Sequence, residues 1–282
     1  MKKIAIILFL ILCLNNAKAS PQRPDYLIIG KDTLSIYFLP LHDLDTVTLN
    51  TFFDNLKIDS ASFGFSFSLW RGYQAYWQLK NDSLYLIGLK GYSKSDEILK
   101  KTFPSNYNKG KVFANWFSSY LAIGKDKILK WDGIFSKTYF KEDILNFEKG
   151  VLVNQKVVDN YIRVNNGISR LDENRKNITD TIFALIKKLN WKKLSECDCD
   201  DKYLISVGGS GKIDDIELIP YTHNKDTALM EIKDHKKCIR KFKQQLKNLQ
   251  FDIVNWNGKS FEEKYYLEMF YTVEGELENW TN

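Results

Sequence analysis

Tyr203-Leu-Ile-Ser-Val-Gly-Gly-Ser-Gly-Lys-Ile-Asp-Asp-Ile-Glu-Leu-Ile219 is the stretch that decides the fold of the C-terminal third. Two apolar runs, Tyr203–Val207 and Ile213–Ile219, flank Gly208-Gly209-Ser210-Gly211. A glycine-rich turn between two such runs reads as two strands joined at a tip and sharing one apolar face. Upstream, Ile178, Ile182, Leu185, Ile186 and Leu189 recur at helical spacing, with Asn177 or Thr179 near the cap. Downstream, Ile239, Phe242, Leu246 and Leu249 form the stripe of a second helix able to cover the hairpin. Phe251–Val254, the Asn257-Gly258 turn and Tyr265–Val273 follow. The order is helix, strand, turn, strand, helix, strand. That is an α+β unit.

This order and its side chains resemble the C-terminal domain of TonB-type proteins, over Ile178 to Val273. The segments that carry the likeness are the hairpin above, Leu246-Lys-Asn-Leu-Gln-Phe251 at the end of a helix, and the turn Asn257-Gly258-Lys259 before a final strand. The resemblance implies a domain over 176–275, with two helices on a short antiparallel sheet, and a protein partner in the cell envelope. It also implies a terminal strand that pairs with an exposed strand of that partner through main-chain hydrogen bonds. Tyr265, Leu267, Met269 and Tyr271 are the partner-strand candidates. TonB transducers keep an uncleaved membrane helix and a long proline-rich spacer. This chain has five prolines, a leader of cleavable type, and a β-rich region in the spacer's place. The expectation is therefore protein–protein contact without transduction.

From Asp25 to about Ile162, short apolar runs alternate with turn residues. Tyr26–Ile29 and Leu34–Leu39 flank Gly30-Lys31-Asp32; Trp70–Leu79 and Leu84–Leu89 flank Asn81-Asp82. Val112–Ile123 and Ile128–Trp131 flank Gly124-Lys125-Asp126, and Tyr139–Phe147 and Val151–Val158 flank Glu148-Lys149-Gly150. These are hairpin signals. They predict a meandering antiparallel domain over 20–165, folded as a sandwich or an open barrel. Arg170 to Asn177 reads as a polar linker. Trp70-Arg-Gly-Tyr-Gln-Ala-Tyr-Trp77, Asn81-Asp-Ser-Leu-Tyr-Leu86 and Asn115-Trp-Phe-Ser118 resemble stretches of uncharacterised exported proteins of Bacteroidetes-like bacteria, a likeness that brings no activity with it. Aromatic faces on a β-domain stack on sugars, so Trp70, Tyr73 and Trp77 are ligand-face candidates for a glycan. Core packing is the competing reading, because large aromatics dominate cores.

Lys2 and Lys3, the apolar run Ile4–Leu14 and Ala17-Lys18-Ala19 have the form of a signal peptide over 1–19. Eleven apolar residues make a helix of roughly 16 Å against a hydrocarbon core of ~30 Å, too short to span. The expected location is periplasmic or secreted, with no membrane span after cleavage. Removing Lys2, Lys3 and Lys18 takes the formal charge from +6 to +3. Lys and Glu are interspersed, which argues against a nucleic-acid partner. Aromatics at 14% with few prolines argue for a folded body.

An exported chain is expected to oxidise its cysteines. Cys197-x-Cys199 and His235-x-x-Cys238 offer a zinc-type ligand set, but export favours a disulfide from Cys197 or Cys199 to Cys238. Closing that loop stabilises by roughly 3–4 kcal/mol in the chain-entropy account. Gly208–Lys212 is not a phosphate loop, because Ser206 stands where its first glycine belongs and Ile213 where Ser or Thr binds magnesium. Gly64-Phe-Ser-Phe-Ser68 lacks the second glycine of a nucleophile elbow, and His42-Asp43-x-Asp45 reads as a solvated turn. No catalytic, metal or cofactor-binding residue is assigned. The reading is a non-enzymatic binding protein.

Overall fold

The computed structural model describes residues 20–59, 66–171, 173, 175–191, 199–221 and 225–281. The leader over 1–19 and Cys197 lie outside them. The protein is α+β and mostly strand, and it divides into two compact units between Val157 and Val158.

The first unit begins with β1 (Asp25–Ile29) and β2 (Asp32–Ile36), a hairpin turning at Gly30, whose φ is +60°. A 3-10 turn at Pro40–Asp43 and helix α1 (Thr46–Leu56) then carry the chain back to β3 (Ala75–Lys80). β3 lies parallel to β1, with Leu27 opposite Trp77, and so departs from the expected antiparallel meander. Parallel neighbours need a crossover, and α1 lies within it. Asp45 starts α1 by accepting from Thr48 N at 2.9 Å, while Phe52 and Leu56 bury its inner face. Asn81 and Asp82, both at positive φ, turn the chain into β4 (Ser83–Leu89), which leads to α2 (Ser95–Thr102).

Short strands β5 (Tyr107–Asn108) and β6 (Lys111–Phe113) pair with one another, and β6 pairs with β4. β7 (Tyr120–Gly124) pairs with β10 (Lys141–Glu148), enclosing a separate hairpin of β8 (Ile128–Trp131) and β9 (Lys137–Tyr139). The pairing expected across Gly124–Asp126 is thus replaced by a nested one. β11 (Val151–Asp159) completes the main sheet, ordered β2-β1-β3-β4-β11-β10-β7. This sheet curls until β2 and β7 touch, with the Phe38 ring 5.9 Å from Tyr120. Leu27, Ile36, Trp77, Leu86, Phe117 and Leu121 lie in its core, fully buried.

The second unit opens with β12 (Tyr161–Ile162), then α3 (Arg175–Ile186), β13 (Lys202–Val207) and β14 (Ile213–Leu218). Helices α4 (Lys225–Asp234) and α5 (Lys236–Leu246) follow. The chain continues with β15 (Ile253–Trp256), β16 (Lys259–Ser260), β17 (Glu263–Tyr271) and β18 (Leu277–Asn279). The antiparallel sheet runs β14-β13-β17-β18, and the hairpin read at 203–219 is β13–β14. Ile178, Ile182 and Ile186 of α3 and Phe242 and Leu246 of α5 pack with Tyr203, Ile205, Leu267 and Met269 in one core. The Gly208–Gly211 tip is packed rather than open: Gly211 has a φ of +73°, and a side chain there would collide with the Phe251 carbonyl oxygen.

Arg170, expected at the start of a solvated linker, is completely buried in this unit. Its Nε donates to Glu263 Oε2 at 2.9 Å, and its remaining N–H groups reach the carbonyls of Val207, Gly208, Asp252 and Phe261. Tyr161 Oη donates to Asp252 Oδ2 at 2.6 Å, and Val164 N to Asp252 Oδ1 at 2.9 Å. Residues 158–170 therefore belong with the second unit, although sequence pattern alone places 158–165 in the first domain.

Candidate functional site

β17 is paired over most of its length on one side and over only its last three residues on the other. β13 covers residues 263–268, with Tyr265 opposite Ile205. On the outer side β18 covers only Met269–Tyr271. Just beyond it, Glu268 N donates to Thr281 Oγ1 at 2.9 Å, and Trp280 N donates to Glu268 O at 2.8 Å. Glu268 thus turns its main chain outward. Main-chain direction alternates along a strand, so Lys264 and Tyr266 turn their N–H and C=O groups outward as well. Among the described residues no strand pairs with that edge over 263–267.

A groove of about 370 Å³ lies beside it, lined by Arg175, Lys176 and Thr179 of α3, by Tyr265 and Tyr266, and by Thr281. Tyr266 is 60% exposed. Arg175 Cζ stands 5.7 Å from the Tyr265 ring centre, and its Nη2 lies 3.8 Å from Glu263 Oε1. The Tyr265 hydroxyl donates to Glu263 Oε2 at 2.9 Å. Burial, and then the Glu263 charge, hold that phenol well above its ordinary pKa, so it stays a neutral donor. Arg170 from below and Tyr265 from beside it hold Glu263 at the start of the edge.

The partner-strand candidates divide by face. Tyr265, Leu267 and Met269 are buried beneath the helices and Tyr271 is partly buried, so none of the first three offers its side chain outward. Alternation along 265–271 was legible. That no strand among the described residues covers the outer edge over 263–267 was not, because β18 comes from residues that carry no strong strand signal.

The proposed aromatic face in the first unit does not assemble. Tyr73 and Trp77 are fully buried, whereas Trp70 is 69% exposed. Trp77 Nε1 donates to Asp25 Oδ2 at 3.2 Å, and Asp25 also accepts from Ala75 N at 3.0 Å and Arg71 Nη2 at 2.8 Å. Burial keeps the Asp25 carboxyl above its usual range, against the pull of Arg71. Arg71 also lies 5.2 Å from the Tyr73 ring centre. Tyr73, Trp77 and this ion pair lie in the core, so neither ring offers a ligand surface, and of the three candidates Trp70 alone reaches solvent.

Cys199 and Cys238 form a disulfide with Cα atoms 5.6 Å apart, tying the approach to β13 to the first turn of α5. His235 Nε2 lies 3.2 Å from Asp201 Oδ2. With both sulfurs oxidised, the zinc alternative loses two of its ligands; among the described residues no His, Cys, Asp and Glu group gathers to hold a metal. His42 and Asp43 are exposed, and Asp45 is occupied as the α1 cap. Gly64 and Phe65 lie outside the described residues. No described helix is long and apolar enough to cross a membrane. No family model, curated protein or solved structure matches the chain.

Proposed function

We propose that this protein is a non-enzymatic component of the cell envelope that receives an extended segment of a partner protein along the outer edge of β17. The observation that carries this reading is the outward-turned main chain of Lys264 and Tyr266 beside the α3 groove. An added strand bonds to such an edge through its own backbone, and pockets alongside select its side chains. The Cys199–Cys238 bond supports an oxidising compartment, either the periplasm or the exterior. The likeness to the TonB C-terminal domain points to the same mode of contact.

Proline at position 266 tests the reading, because it removes a donor that β13 does not use. The immobilised protein is panned against random linear peptides. Enriched peptides are expected to bind Tyr266→Pro at least about tenfold more weakly, and to bind the strand-compatible Tyr266→Thr as before. Equal binding to Tyr266→Pro with its melting midpoint retained, or no enrichment at all, overturns the proposal.

A further inference from the structure

Two shallow depressions on the first unit meet at Ser105 and Asn106. One, of about 430 Å³, runs over Tyr85, Asn108, Lys111 and Phe113. The other, of about 210 Å³, runs past Asp45, Thr48, Asn115 and Trp116. The rings of Tyr85, Phe113 and Trp116 are each half-buried, so each is anchored in the fold and still meets solvent. Tyr85 and Phe113 sit opposite one another across β4 and β6, with ring centres 5.7 Å apart. Trp116 is held by stacking on Phe103 at 5.1 Å and by donating Nε1 to Pro40 O at 3.0 Å.

Neutral amides lie between these rings. Asn106 Nδ2 donates to Asn115 Oδ1 at 2.5 Å, leaving the Asn106 carbonyl oxygen as an acceptor and the Asn115 amide nitrogen as a donor. Asn108 is exposed. Two charged groups line the groove: Lys111 Nζ stands 4.1 Å from the Tyr85 ring centre, over one face of that ring, and Asp45 caps α1 through both of its oxygens.

We propose that this groove binds a neutral oligosaccharide. A pyranose presents an apolar C–H face suited to a half-exposed ring and a rim of hydroxyls that both donate and accept, as amides do. One carboxylate and one ammonium along the two depressions leave no net charge to select an anion. Two depressions joined at Asn106 fit more than one sugar. A peptide strand is a poorer occupant, because β4 and β6 have neighbours on both sides and, among the described residues beside the groove, only two-residue β5 offers an edge. The site is independent of the β17 edge and uses none of its residues.

The full chain is titrated with the tetrasaccharides of N-acetylglucosamine, of β-1,4-linked glucose and of α-1,4-linked glucose, following tryptophan fluorescence. At least one is expected to saturate, with affinity falling at least about tenfold in both Tyr85→Ala and Asn108→Ala. Asn108→Ala removes an exposed side chain and is expected to keep the melting midpoint, so the test survives if Tyr85→Ala misfolds. Saturation unaltered in folded Asn108→Ala, or no saturation by any of the three, overturns the proposal.

Discussion

Arg170 shows how far one side chain can depart from its sequence context. Flanked by polar residues, it reads as solvated, yet its guanidinium is completely buried and closes an ion pair with Glu263. Nothing local announces that four carbonyls from 207, 208, 252 and 261 converge there, since they come from segments far apart in the chain. Removing one member of a buried pair leaves the other charge unpaired, and this decides the size of the effect. Arg170→Ala is expected to cost the second unit about 3–5 kcal/mol in urea unfolding. Arg170→Lys keeps the charge but loses the fork and should recover only part of that. A loss below about 1 kcal/mol would place Glu263 in contact with water and contradict the network. Trp77 and Tyr73 teach the converse lesson. Alternation correctly put them on one face, but whether that face meets water depends on α1, whose Phe52 ring lies 5.2 Å from Tyr73.

At the scale of elements, turns were the legible part. Asn81-Asp82, Lys149-Gly150 and Asn257-Gly258 all adopt positive φ, and glycine, asparagine and aspartate are enriched where the backbone demands it. Helix α1 was not legible. Thr46-Val-Thr-Leu-Asn-Thr-Phe-Phe53 is rich in β-branched and aromatic residues that favour strands, and only the Asp45 cap and burial of Phe52 and Leu56 make it helical. In the second unit, Lys243 on α5 donates to Asp215 on β14. That bond, backed by the Ile216 amide, draws the Asp215 carboxyl below its usual pKa. A depressed carboxyl pKa contributes stability that is present above pH 3.8 and lost as pH falls through the folded value. Wild type should therefore lose more stability than Asp215→Asn on acidification below about pH 4, by less than about 1 kcal/mol because the pair is half-exposed. Parallel acid profiles for the two proteins would show that the contact does not persist in solution.

At the scale of the whole molecule, two units with separate cores should unfold separately. Calorimetry is expected to resolve two transitions. Reductant breaks Cys199–Cys238, which closes a loop 39 residues long within the second unit. It should lower one transition alone, by the equivalent of roughly 3–4 kcal/mol. Arg170→Ala should lower that same transition. A shift of both together would show one cooperative body.

The chain's own order of residues determined what neighbours along it can decide: where it turns, which helices carry an apolar stripe, and that 203–219 is a hairpin. Periods of two and 3.6 and the demand for positive φ act over a few residues, so they survive in a linear reading. Only the tertiary structure decided that β1 and β3 run parallel, that Tyr73 and Trp77 are core while Tyr85 and Phe113 meet solvent, and that no strand among the described residues pairs with the outer edge of β17 over 264–267. Burial and edge status are set by segments distant in the chain, and long-range pairing leaves no mark on the residues it covers or leaves bare.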